Sequence, residues 1–109
     1  MSQRTAKVES LVQQYVAGNL GELIGPDAAR ITVTGVDVSP DLRHAIVWLG
    51  IIADTKLQHD LFDRVFAMGG ELQRIVAANM TTKFAPRLDF RLDTGGAYAA
   101  DIDRLLKQS

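Results

Sequence analysis

A chain of 109 residues with 47% hydrophobic and 23% charged residues has the size and composition of one globular domain, 1–109, which excludes disordered and fibrous classes. With no cysteine, no apolar run near the roughly 18 residues of a membrane span and a polar Met1–Glu9, it offers no disulfide or thiolate chemistry and no membrane partner, and a cytoplasmic location is expected. Twelve basic and 13 acidic residues give a net charge of −1, so a polyanion would have to be met by a local patch rather than by the whole surface.

The first element is an amphipathic helix over 3–24. Val8, Leu11, Val12, Tyr15, Val16, Leu20, Leu23 and Ile24 recur at three- and four-residue spacing. Gly18 and Gly21 weaken its second half, where a fray or bend is expected, and Gly25-Pro26 ends it. A strand over 30–38 follows. Its alternation runs through Ile31 and Val33, slips at Gly35, and resumes at Val36 and Val38, the pattern of a β-bulge. Ser39-Pro40-Asp41-Leu42 supplies a turn to a second strand over 43–52. That strand is almost wholly apolar and reads as the central one, with Trp48 in the core.

Asp54 or Thr55 caps a helix over 56–68 whose buried side carries Leu57, Leu61, Phe62, Val65 and Phe66. Gly69-Gly70 interrupts it, and a further helix covers 70–84 through Leu72, Ile75, Val76, Met80 and Phe84. Pro86 closes that helix. Arg87 to Asp93 alternates strictly, with Leu88, Phe90 and Leu92 inward and charges outward. A short helix over 97–108, with Ile102, Leu105 and Leu106, ends the chain. The order α–β–β–α–α–β plus a terminal helix predicts an α+β domain. Three helices cover one face of a three-stranded sheet, and the other face is open or partly covered by the terminal helix.

Little in the chain reads as catalytic. His44 and His59 lie far apart with no metal-ligand spacing and read as surface residues. Asp37 and Asp41 bracket the turn, where a backbone hydrogen bond is the expected role of Asp41. No phosphate-binding glycine loop is present. Gly69-Gly70 opens a helix whose N-terminus could take a phosphate, or it simply breaks the helix. Charge is more informative. From Asp37 to Asp63 the net charge is −3; from Arg64 to Arg91 it is +3. A polyanion would therefore meet Arg64, Arg74, Lys83, Arg87 and Arg91, with Arg4 and Lys7 adding to them.

The element order is that of KH domains of the second type, which bind RNA. The junction Phe66-Ala67-Met68-Gly69-Gly70-Glu71 lacks their usual G-x-x-G. The whole chain from Arg4 to Leu106 resembles ribosome-binding factor A. The resemblance is carried by Thr32 to Leu42 with its V-S-x-D-L turn, followed by Ala45 and Val47. Further support comes from Ala85-Pro86-Arg87-Leu88 before an L-x-F-x-x-D strand, and from the tail Tyr98 to Leu106. That family has an alanine-x-glycine kink between its helices. Ala67-Met68-Gly69 fits it directly, and Met68-Gly69-Gly70 fits an alignment counted back from Pro86.

The resemblance implies a KH-like fold and a non-enzymatic factor without a cofactor. It would bind the immature small (30S) ribosomal subunit through rRNA and assist late small-subunit rRNA maturation, with most effect in the cold. By charge and by the glycine kink, the expected RNA-binding residues are Arg4, Lys7, Arg64, Gly69, Gly70, Arg74, Lys83, Arg87 and Arg91, on a protein expected to be a monomer. The competing reading is a non-enzymatic interaction module, or a homodimer paired through an exposed sheet edge.

Overall fold

A row of apolar side chains four residues apart organises the first helix. Val8, Val12, Val16, Leu20 and Ile24 are all buried along α1, Gln3–Ile24, in the computed structural model, which describes residues 3–80 and 85–93. The helix runs through Gly18 and Gly21 to Ile24 because Leu20 and Ile24 still have core to bury against; packing outweighs the propensity cost of about 1 kcal/mol per glycine. Gly25 then takes φ +91°, the left-handed region, and its N–H donates to the Gly21 carbonyl at 3.0 Å. A 3-10 turn over Pro26–Arg30, not anticipated from the sequence, delivers the chain to the sheet.

Strand β1, Ile31–Val38, pairs antiparallel with β2, His44–Ile51. Val33 sits opposite Leu49 and Gly35 opposite Trp48, so Thr34 is the extra residue of a bulge. The bulge lets Ile31 and Val33 before it share the helix-facing side with Val36 and Val38 after it. At the hairpin tip the Ser39 hydroxyl donates to Asp41 Oδ1 at 2.6 Å and accepts from the His44 N–H at 3.1 Å. The Arg43 N–H donates to the same Asp41 oxygen at 3.1 Å, and Leu42 is held at φ +63°.

Helix α2, Thr55–Ala67, is capped by Asp54, whose carboxylate accepts from the Leu57 N–H at 2.8 Å. Helix α3, Gly69–Ala78, ends earlier than the sequence pattern suggests, and residues 81–84 of the expected helix lie outside the described residues. Strand β3, Arg87–Asp93, has the bounds its alternation predicts. It pairs parallel with β2, so α2 and α3 form the crossover and β2 is central, in the order β1-β2-β3. The fold is the expected α+β, KH-like arrangement. Helix α1 packs on β1 and α3, α2 on β2, and α3 on β3, all on one sheet face. The terminal helix expected over 97–108 lies outside the described residues.

One core assignment needs correcting. Strand β2 buries only alternate residues, Ala45, Val47, Leu49 and Ile51. Trp48 and Ile46 point to the other face and are half-buried, and Trp48 Nε1 donates to Asp37 Oδ2 at 3.2 Å. A continuous apolar run does not distinguish a strand covered on two faces from one covered on a single face.

Candidate functional site

The α2–α3 junction turns on a single residue. Met68 leaves helical geometry at φ −90°, ψ 8°, while its N–H still donates to the Val65 carbonyl at 2.9 Å. Ala67 is the last residue of α2 and Gly69 the first of α3. The break between the two helices thus falls at Met68, between Ala67 and Gly69. Gly69 lies over Phe90 of β3, and a Cβ there would stand 3.7 Å from the ring, in ordinary contact. Gly70 is exposed with open space around it.

Where this hinge meets the first residues of β2 and β3, a cleft of about 500 Å³ opens, lined by His44, Phe66, Gly69, Arg87, Leu88, Asp89 and Phe90. Gln73 on α3 holds its two sides together. The Gln73 side-chain N–H donates to the Pro86 carbonyl at 2.8 Å, and its Oε1 accepts from the Leu88 N–H at 2.8 Å. The side-chain amide thus pairs with the outer edge of β3 as a peptide group of a further strand would. The Arg87 N–H donates inward to the Arg43 carbonyl at 2.8 Å, bringing two arginines side by side at the start of the sheet.

The residues expected to contact RNA are not gathered in one place. Gly69 and Arg87 line the cleft, with Gly70 next to it. Arg74 is exposed on α3 and paired with Glu71. Arg91 pairs with Asp89 at 3.1 Å. Arg64 faces the end of α1, where Nη1 donates to Asp27 at 3.2 Å and Nη2 to the Ile24 carbonyl at 2.5 Å. Lys7 is exposed on α1, whose first turn also contains Arg4. Lys83 lies outside the described residues.

Three features in and beside the cleft are not visible in the sequence. Helical spacing puts Phe66 on the buried side of α2, yet it is 64% exposed, because only Leu61 and Val65 of that helix are fully covered. His44 is exposed, as a surface residue should be, but it lines the cleft. Arg43 falls in the acidic half of the chain, yet it abuts Arg87. Among the described residues neither Arg43 nor Arg87 has an ion-pair partner, whereas Arg30, Arg64, Arg74 and Arg91 all do. Nothing in a single sequence marks which arginines are already neutralised.

The nearby carboxylates are engaged by the fold. Asp37 accepts from Trp48. The Ser39 hydroxyl, and after it the Arg43 N–H, hold the Asp41 carboxyl below its ordinary 3.8. The cleft therefore presents an exposed aromatic ring, glycine backbone and the Arg87 guanidinium, which has no ion-pair partner among the described residues and suits binding of a phosphate-bearing ligand.

The family model for ribosome-binding factor A matches residues 4–106. The ribosome-binding factor A of Thermomicrobium roseum is 32% identical over 108 residues, 98% of this chain and 84% of that protein. The crystal structure of ribosome-binding factor A from Thermus thermophilus superposes with a TM-score of 0.68 at 19% identity, covering 81% of this chain and 94% of that one. A homology model of the Thermus thermophilus factor, fitted into a cryo-EM map of its complex with 30S, gives 0.58 at 16% identity, covering 84% of this chain and 93% of that one. The two structural likenesses speak for the fold. The sequence match runs from the first turn of α1 past the end of β3 and takes in the hairpin tip and the hinge, so the chain belongs to the ribosome-binding factor A family.

Proposed function

We infer that this protein is a non-enzymatic ribosome assembly factor. It binds the immature small ribosomal subunit through its rRNA, in the cytoplasm, as a monomer and without a cofactor. It assists late maturation of the small-subunit rRNA ends, with most effect in the cold. The observation that carries this reading is the family match along residues 4–106. The 30S complex formed by the Thermus thermophilus factor supports the choice of particle.

The mechanism is docking by charge and shape. Among the described residues Arg87 has no ion-pair partner and can take a phosphate without first giving up a carboxylate, and Arg43, whose charge acts on Asp41, is its neighbour across the strands. Arg74 and Arg91 are held by exposed pairs, each contributing about 0–1 kcal/mol, so a phosphate oxygen can replace the carboxylate. Arg64 differs, because leaving Ile24 would strip a partner from the last carbonyl of α1; its role is to close that helix end. Arg4, Lys7 and Lys83 extend the basic set, and Gly69 and Gly70 leave the hinge bare for close backbone approach. Binding favours one rRNA conformation over others and so shifts its population.

Sedimentation with small subunits, large subunits and assembled ribosomes at two salt concentrations tests the reading. Selective pelleting with the small subunit, weakened by salt, is expected. Pelleting with no particle at low salt, or equally with both subunits, contradicts it.

A further inference from the structure

Helices α1, α2 and α3 all pack on one face of the sheet. Alternation along β2 sends Ile46 and Trp48 to the opposite face, and Ile52 follows them in phase just past the strand, 78% exposed. Trp48 is flanked by Gly35 of β1, which has open space where a side chain would be, and by Arg91 of β3. Ile46 is flanked by Asp37 and Asp89. The central strand thus carries an apolar stripe between rows of polar residues. At the Ile52 end lies a recess of about 380 Å³ whose lining includes Gly50, Ile52 and Asp93.

We propose that residues 97–108 fold back as a helix onto this stripe, seating Tyr98, Ile102, Leu105 and Leu106 along Ile52, Trp48 and Ile46. The place where the chain leaves the sheet selects this occupant. Strand β3 ends at Asp93, opposite Gly50 and in the lining of the recess, so the residues that follow start beside Ile52. Thr94-Gly95-Gly96 gives a reach of about 10 Å, and its two glycines accept the backbone angles of a reversal. A helix over 97–108 is about 18 Å long, and the strand from Ile46 to Ile52 spans about 20 Å. Returning antiparallel to β2, the helix covers the stripe along its length. Its apolar residues recur at i, i+4, i+7 and i+8 and form one narrow face, while Asp101, Asp103, Arg104 and Lys107 fall outside it. The docked segment adds a third layer to the domain and keeps an apolar stripe away from other chains. The proposal does not depend on the rRNA reading.

Trp48 is the single tryptophan and the chain has no cysteine, so one introduced thiol can be labelled alone and read against one indole. The test labels the full chain with bimane at Ala99→Cys, beside the apolar face of the segment. Bimane loses its emission when it touches tryptophan. Emission should be quenched relative to the same labelled chain carrying Trp48→Phe, and to the same extent at every protein concentration. Adding Ile102→Asp and Leu105→Asp should restore it. In the unlabelled chain the same two substitutions should move Trp48 emission to longer wavelength and open it to acrylamide, with the helical signal of the domain and its cooperative urea melt retained. Equal brightness with and without Trp48 overturns the proposal, because the segment then lies elsewhere. Quenching that grows with concentration also overturns it, because the occupant is then a second copy's segment. Quenching that survives both aspartates shows that the apolar face does not seat the segment, and overturns it as well.

Discussion

Gly50 is required by a residue on the neighbouring strand. The bulge turns Thr34 over it, so that a Cβ at position 50 would stand 2.8 Å from Thr34 Cγ2. Thr34 is short and β-branched and cannot swing away as a long side chain would. Gly50→Ala is expected to lower unfolding free energy by about 1–3 kcal/mol in urea melts. Adding Thr34→Ser, which removes the methyl, should restore most of the loss, and purely additive effects would show that the clash is not the cause. Asp41 gives a pH-dependent prediction. Its carboxyl titrates below the ordinary 3.8 because the Ser39 hydroxyl, then the Arg43 N–H, bind the ionised form. That contribution is fully present above the unfolded value and lost as pH falls through the lowered folded one. Wild type should therefore lose stability relative to Asp41→Asn as pH is taken from about 5 to about 2, in pH-dependent thermal melts. Parallel curves for the two proteins would contradict this role.

Edge strands need a reason not to pair with another molecule, and here the helices supply it. On β3 the Gln73 amide occupies the Pro86 carbonyl and the Leu88 N–H; on β1 Glu9 accepts from the Val38 N–H at 3.0 Å, and Gln13 donates to the Val33 carbonyl at 3.3 Å. Gln73→Ala leaves both β3 groups without that partner and should cost about 1–3 kcal/mol, with faster amide exchange at Leu88. Unchanged exchange at Leu88 would mean that water serves as well. Such contacts are beyond the reach of the sequence, because Gln73 and Leu88 are joined only by the crossover. What is legible depends on local chemistry: the Gly35 slip marks the bulge, Ser39-Pro40-Asp41 the turn, and strict alternation the bounds of β3. Phe66 and Trp48 depart from their expected burial because each lies in an apolar pattern whose covered side is decided by distant neighbours. Of the expected contact residues, Gly69 and Arg87 line the cleft, while Arg64 turns out to bind Asp27 and Ile24, 37 and 40 residues away.

At the scale of the whole molecule, a net charge of −1 and the proposed RNA-binding role are compatible because several of the acids are paired within the fold while, among the described residues, Arg87 has no ion-pair partner. The helix side chains along both sheet edges also disfavour the homodimer reading. A molar mass that stays at one chain across a hundredfold range of concentration in light scattering is expected, and a concentration-dependent rise would revive that reading. The most direct test is the salt dependence of binding to purified small subunits, compared between wild type and Arg43→Gln/Arg87→Gln. Each lost phosphate contact should reduce the slope of log K against log salt by about 1, so the double variant should bind more weakly with a slope shallower by about 2. The same affinity and slope as wild type would show that the subunit is held elsewhere, and the cleft would not be the rRNA site.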